Sequence, residues 1–164
     1  AIEEIGQKLS LRDVVFGGEA LELSRLVEWD SLHLHNAPKF FSLYGITETS
    51  VHVCYIAVDE TIVSLRGNSL IVCSISDIKV CELMNFLQPV TPGGLGGMYV
   101  AGAVLARGML GRAGLTADRF IADLFGTPCT RRYRACDLVR WLHDGTFEYI
   151  GRVEHQIKIR GFRI

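Results

Sequence analysis

The chain has 164 residues, 49% apolar and 21% charged, enough apolar material for one buried core and too much for a disordered segment. A net charge of −1 gives no chain-wide footprint for nucleic acid, and no apolar run approaches the roughly 20 residues that span a bilayer, so neither nucleic acid nor membrane is expected as a partner. Five cysteines (Cys54, Cys73, Cys81, Cys129 and Cys136) without paired spacing argue against a disulfide framework and, with no signal-like start, fit a reducing, cytoplasmic setting.

Residues 1–9 have the composition of a short helix. Residues 11–16 form an apolar run closed by Gly17-Gly18, and residues 20–29 carry Leu21, Leu23 and Leu26 at helical spacing. Strand, glycine turn and helix together open an α/β sheet. Residues 39–44 read as a second strand ended by Gly45, and residues 51–58, rich in β-branched and aromatic side chains, as a third.

From 61 to 88 there are strand-like runs without clear turn chemistry. Residues 89–97, with two prolines and four glycines, read as a loop, and residues 98–101 as a short strand. Residues 115–124 are a helix candidate opened by Thr116. Residues 133–141 and 146–150 flank Asp144-Gly145, a hairpin signal. Residues 157–164 alternate apolar with basic side chains, as a half-exposed strand does. The expectation is an α/β section over 1–60 and a β-rich section over 61–164.

Charge is uneven along this plan. From residue 131 onward eight basic residues (Arg131, Arg132, Arg134, Arg140, Arg152, Lys158, Arg160 and Arg163) face four acidic ones, which suits either solvated strand edges or an anion. Leu43-Tyr44-Gly45-Ile46-Thr47-Glu48 places a hydroxyl and a carboxylate just past a strand end, where α/β sheets hold ligands, or forms an ordinary capped turn. Asp137 carries two acceptor oxygens, the number a vicinal diol needs. His33 and His35 alternate on one strand face without a third ligand nearby, which favours exposed polar positions over a metal site.

Several ordered strings carry a resemblance. Phe16-Gly17-Gly18-Glu19-Ala20-Leu21, the Leu43-to-Glu48 string, Tyr133-Arg134-Ala135-Cys136-Asp137-Leu138-Val139-Arg140-Trp141, Glu148-Tyr149-Ile150-Gly151-Arg152 and Gln156-Ile157-Lys158-Ile159-Arg160-Gly161-Phe162-Arg163-Ile164 resemble the nucleotide-binding strips of adenylate-forming enzymes. The match is closest to the amino-acid adenylation (AMP-binding) domain of nonribosomal peptide synthetases. The resemblance implies an α/β fold: part of the large sheet subdomain, then a distorted β-barrel subdomain ending at a hinge to a C-terminal lid. It implies ATP and Mg²⁺, an amino-acid substrate, and phosphopantetheine on a peptidyl carrier domain beside a condensation domain of the same synthetase.

By the same resemblance, Tyr44 stacks on adenine and Gly18, Glu19 and Ala20 pass beside its edge. Thr47 bonds the α-phosphate and Glu48 holds the metal ion, the two catalytic assignments. Asp137 takes the ribose hydroxyls, with Tyr149 and Arg152 covering the nucleoside. Val15, Gly17, Leu43, Val51 and His52 would line the amino-acid pocket, and Glu154 stands where the family has its hinge aspartate. Acyl-CoA and aryl-acid ligases are the alternative adenylate-formers.

Three departures accompany the resemblance. The family's phosphate loop would precede Ala1 and its lid lysine would follow Ile164, so this chain alone is expected to be inactive, with open sheet edges prone to aggregation. Cys136 replaces a glycine, which strains the backbone if φ is positive there, and Val104 replaces another. The family's glycine-arginine-proline turn is missing around Val72-Cys73-Ser74. These losses also admit a degenerate, non-catalytic remnant.

Overall fold

A computed structural model of the chain describes residues 11–23, 26, 38–59, 62, 70–71, 75–84 and 87–153, with the backbone at 158–159 and 162–163. The expected helix at 1–9, most of that at 20–29, His33, His35, Cys73 and Glu154 lie outside the described residues.

Two sheets carry the architecture. In the first, β1 (Asp13–Gly17) pairs parallel with β2 (Lys39–Tyr44), and β2 pairs antiparallel with β3 (Cys54–Val58). Alternation sorts the side chains. Cys54 and Ile56 are buried on one face, whereas Val15 and Tyr55 on the other are about half exposed. Between β2 and β3 the chain makes a 3₁₀ turn, Thr47–Thr49, and returns through Ser50 and Val51, whose φ angles are 59° and 90°. The turn is tied by Thr49 Oγ1 donating to Ile46 O (3.0 Å) and Val51 N donating to the same carbonyl (3.2 Å). The third strand therefore starts at Cys54 rather than at Val51, because 51–53 close this loop.

The second sheet runs β4 (Leu70–Ile71), β9 (Phe147–Arg152), β8 (Arg131–Trp141), β6 (Leu95–Gly102), β5 (Ile78–Leu83), all antiparallel. The short β7 (Phe120–Ala122) pairs with the first residues of β8. A last antiparallel pair joins β10 (Lys158–Ile159) to β11 (Phe162–Arg163), so the expected single strand over 157–164 is two short ones.

The Asp144-Gly145 hairpin forms as expected. Leu142 N donates to Thr146 O (2.8 Å), Gly145 supplies φ 87°, and the Asp144 carboxylate accepts from the Thr146 amide and hydroxyl (2.9 and 2.7 Å). The expected loop at 89–97 ends earlier, with Leu95, Gly96 and Gly97 already in β6. Glycine at 96 has a steric reason: a Cβ there would stand 2.5 Å from Val90 Cγ2. The expected helix at 115–124 is instead α1 (Ala113–Arg119), and Phe120 turns out of it to pack on Tyr133, ring centroids 4.9 Å apart. Burial of that ring against β8 outweighs helix propensity.

Met98, Val100, Ala135 and Val139 centre the core, and Cys54 of β3 with Ile46 and Val53 of the β2–β3 loop belong to the same cluster. Bonds that tie the two sheets and their loops together include Ile75 N to Val53 O (2.9 Å), Ala106 N to Glu48 O (2.9 Å) and Ser50 Oγ to Val104 O (2.8 Å). No helix among the described residues is long and apolar enough to cross a membrane.

Candidate functional site

The site begins with an irregularity in β8. Opposite β6, Arg134 pairs with Tyr99 and Leu138 with Gly97, so β8 spends more residues than its partner over that interval. The register to β9 shifts again between Leu138 and Val139. Such bulges bend a strand and re-aim a side chain. Here Cys136 takes φ 59°, the left-handed region, and the following residue, Asp137, is turned into the interior with 2% of its surface exposed. The strain expected from a non-glycine residue at 136 is therefore present.

Asp137 sits between the two sheets' contributions. The Tyr44 hydroxyl, from the end of β2, donates to its Oδ2. Arg152, from β9, places Nη1 3.5 Å from Oδ1, and its Nη2 donates to Ala135 O (3.3 Å). Burial, then the negative charge of Asp137, pushes the Tyr44 hydroxyl pKa well above its usual value. Tyr149 is raised as well, by burial first and then by Asp137, with Arg152 pulling the other way. Both phenols are thus neutral donors near a carboxylate acceptor. Four residues singled out in the sequence, Tyr44, Asp137, Tyr149 and Arg152, meet at one place.

The others are placed less closely. Thr47 is exposed and Glu48 buried within the 3₁₀ turn, three and four residues past Tyr44. Gly45 makes that turn possible: a Cβ there would stand 1.6 Å from Val51 O. Gly17 pairs with Leu43, and its missing Cβ would lie 3.7 Å from His52 Cε1, so these three are neighbours. Val15 and Val51 are exposed, as are Gly18 (φ 94°), Glu19 and Ala20. Among the described residues no group of three or more histidine, cysteine, aspartate or glutamate side chains could hold a metal ion.

Sequence reading missed two groups. Arg119, at the end of α1, donates from Nη1 to Cys136 Sγ. Both line a groove of about 720 Å³ with Leu95, Arg134 and Leu138. Glu82 on β5 is buried, with the Trp141 backbone amide as a polar neighbour of its carboxylate. A charged residue in a β-branched run was the only signal for it.

Comparison with known proteins follows the same lines. No family model matches the chain. A dimodular nonribosomal peptide synthase of Bacillus subtilis (strain 168) is 58% identical over 161 residues, 98% of this chain and 7% of that protein. Enterobactin synthase component F of Escherichia coli (strain K12) is 42% identical over 162 residues, 94% of this chain and 12% of that protein. Among solved structures, holo-PA1221, an NRPS protein containing adenylation and PCP domains bound to a vinylsulfonamide inhibitor, superposes with a TM-score of 0.86 at 26% identity, over 94% of this chain and 26% of that one. NpsA-ThdA, an artificially fused adenylation-PCP di-domain NRPS from Klebsiella oxytoca, gives 0.80 at 28% identity, over 93% and 28%. The chain spans a small share of the length of each of these relatives. It is homologous to one segment of nonribosomal peptide synthetases, and its curled mixed sheet has the fold of part of an adenylation-domain protein.

Proposed function

We propose that this chain, a relative of nonribosomal peptide synthetases along one segment of them, carries the nucleoside-gripping part of an ATP-dependent, AMP-forming adenylation domain. The observation that carries the reading is Asp137, buried and flanked by the Tyr44 hydroxyl and the Arg152 guanidinium. A carboxylate so placed accepts both hydroxyls of a ribose, a ligand that brings the same kind of donor Tyr44 already supplies. In this reading residues 1–60 belong to the α/β nucleotide-binding subdomain and residues 61–164 to the barrel, with Glu154 as the hinge.

In the whole enzyme, an oxygen of the amino acid's carboxylate attacks the α-phosphorus of ATP. The bond to the bridging oxygen of the β-phosphate breaks, pyrophosphate leaves with the electron pair, and an aminoacyl adenylate remains. Tyr44 offers its ring to the adenine, beside the backbone of Gly18, Glu19 and Ala20. The exposed Thr47 hydroxyl donates to the α-phosphate. Glu48 would offer one carboxylate toward Mg²⁺. That sparse donor set fits an ion gripped through one or two carboxylates plus phosphates. Bound Mg²⁺ neutralises charge on the phosphates.

Val15, Gly17, Leu43, Val51 and His52 line the amino-acid pocket. The thiol sulfur of phosphopantetheine on a peptidyl carrier domain then attacks the acyl carbonyl, losing its proton; the bond from that carbon to the phosphate oxygen breaks, AMP leaves with the electron pair, and a condensation domain receives the thioester. This chain by itself positions nucleoside without completing the reaction.

Thermal denaturation of the chain with AMP and ATP tests the reading. Ligand at about one hundred times its dissociation constant stabilises by about 2.7 kcal/mol. The expected result is a rise in Tm that Asp137→Ala abolishes. No rise at millimolar nucleotide, or an equal rise in Asp137→Ala, overturns it.

A further inference from the structure

The turn that aims Asp137 is secured by a side chain outside the nucleoside cluster. Cys136 has φ 59°. For a residue bearing a Cβ this conformation is strained and persists only where the surroundings hold it. Two bonds to backbone carbonyls do part of that: Val153 N donates to Cys136 O (2.9 Å), and the Arg152 side chain donates from Nη2 to Ala135 O (3.3 Å). The side chain is held separately, by Arg119 Nη1 on Cys136 Sγ. Arg119 is itself fixed. Its side chain is 12% exposed, Nε lies 3.5 Å from Asp118 Oδ2, and Asp118 also approaches Arg134 of β8 (3.9 Å). The guanidinium therefore couples the end of α1 to the bulge, one residue from the buried carboxylate.

We propose that Arg119 is a positioning residue for Asp137: by clamping the Cys136 thiol it keeps the β8 bulge in the left-handed turn that presents Asp137 to a nucleoside. The proposal rests on the ribose-gripping reading above. It has a consequence that a general structural role does not share. Glycine adopts this backbone conformation without a clamp, so Cys136→Gly makes Arg119 dispensable for nucleotide affinity.

The test is a double-mutant cycle on the chain, read as the AMP dissociation constant by calorimetry beside Tm. Arg119→Ala is expected to weaken AMP binding about tenfold in the Cys136 background and less than about threefold in the Cys136→Gly background. Arg119→Lys, which keeps a donor, recovers part of the loss and serves in place of the alanine variant if that one does not fold. Equal losses in the two backgrounds, or a lowered Tm with AMP affinity unchanged, overturn the clamp. Asp137→Ala separates the two claims. If it leaves AMP affinity intact, the ribose reading falls and the clamp with it. If it abolishes affinity while Arg119→Ala does not reduce it, the clamp alone falls.

Discussion

Asp137 is buried between the neutral Tyr44 hydroxyl and the Arg152 guanidinium, and that arrangement determines what each partner is worth. With its pKa held well above the usual value by burial and by the carboxylate, the Tyr44 hydroxyl keeps its proton at any physiological pH. Removing it in Tyr44→Phe leaves a buried acceptor short of one hydrogen bond, a loss of about 1–3 kcal/mol. A ribose hydroxyl restores what the phenol supplied. The expected outcome is therefore a lower Tm without ligand and a larger AMP-induced rise than in the parent chain, checked by thermal denaturation with and without AMP. An AMP-induced rise no larger than the parent's would contradict the exchange of one hydroxyl for another. The sequence string around Asp137 pointed to the residue. Its bond to Tyr44 was not legible, because the two lie 93 positions apart and the resemblance assigned the ring of Tyr44 rather than its hydroxyl.

At the scale of elements, local signals were readable where local chemistry decides the backbone. Residues 39–44 form β2 as expected, and Asp144-Gly145 closes the β8–β9 hairpin, because alternation and turn residues act within a few positions. The end of α1 at Arg119, the start of β3 at Cys54 and the bulge in β8 were not readable. Each depends on a distant partner: Tyr133 for Phe120, the Gly45 crossing for 51–53, and β6 for 134–138. The nucleoside cluster was legible as separate strings, whereas Arg119 was not, since nothing in a helix end announces a cysteine across the fold. Gly45 allows a prediction here. Alanine there must push the Val51 backbone aside, moving the turn that carries Thr47 and Glu48. Gly45→Ala should cost about 1–3 kcal/mol, as overpacking does, measured by urea denaturation. Gly145→Ala is strained only at the hairpin, so it should spare AMP affinity while Gly45→Ala weakens it, as calorimetry would report.

Over the whole molecule, two sheets share one core, so a single buried charge bears on both. Glu82 faces Met98 across the β5–β6 ladder and lies beside Gly96, whose Cβ would be 3.2 Å from its own. Burial pushes its pKa up to about 7, with the Trp141 backbone amide pulling the other way. The unfolded chain binds this proton with an ordinary value of 4.5. Between these values the folded state holds a proton that the unfolded state releases, so stability is full below 4.5 and declines as pH rises to 7. The slope approaches about 1.4 kcal/mol per pH unit, which over this window totals on the order of 3 kcal/mol. Asp123 acts in the opposite sense and elsewhere: its burial is overcome by the Phe125 amide and by Arg132, its pKa is lowered, and its stabilisation is lost only in acid. Glu82→Gln should therefore match the parent near pH 5 and exceed it near pH 8. Parallel Tm-against-pH curves for the two proteins would show instead that Glu82 ionises without cost, through water reaching it in the folded state.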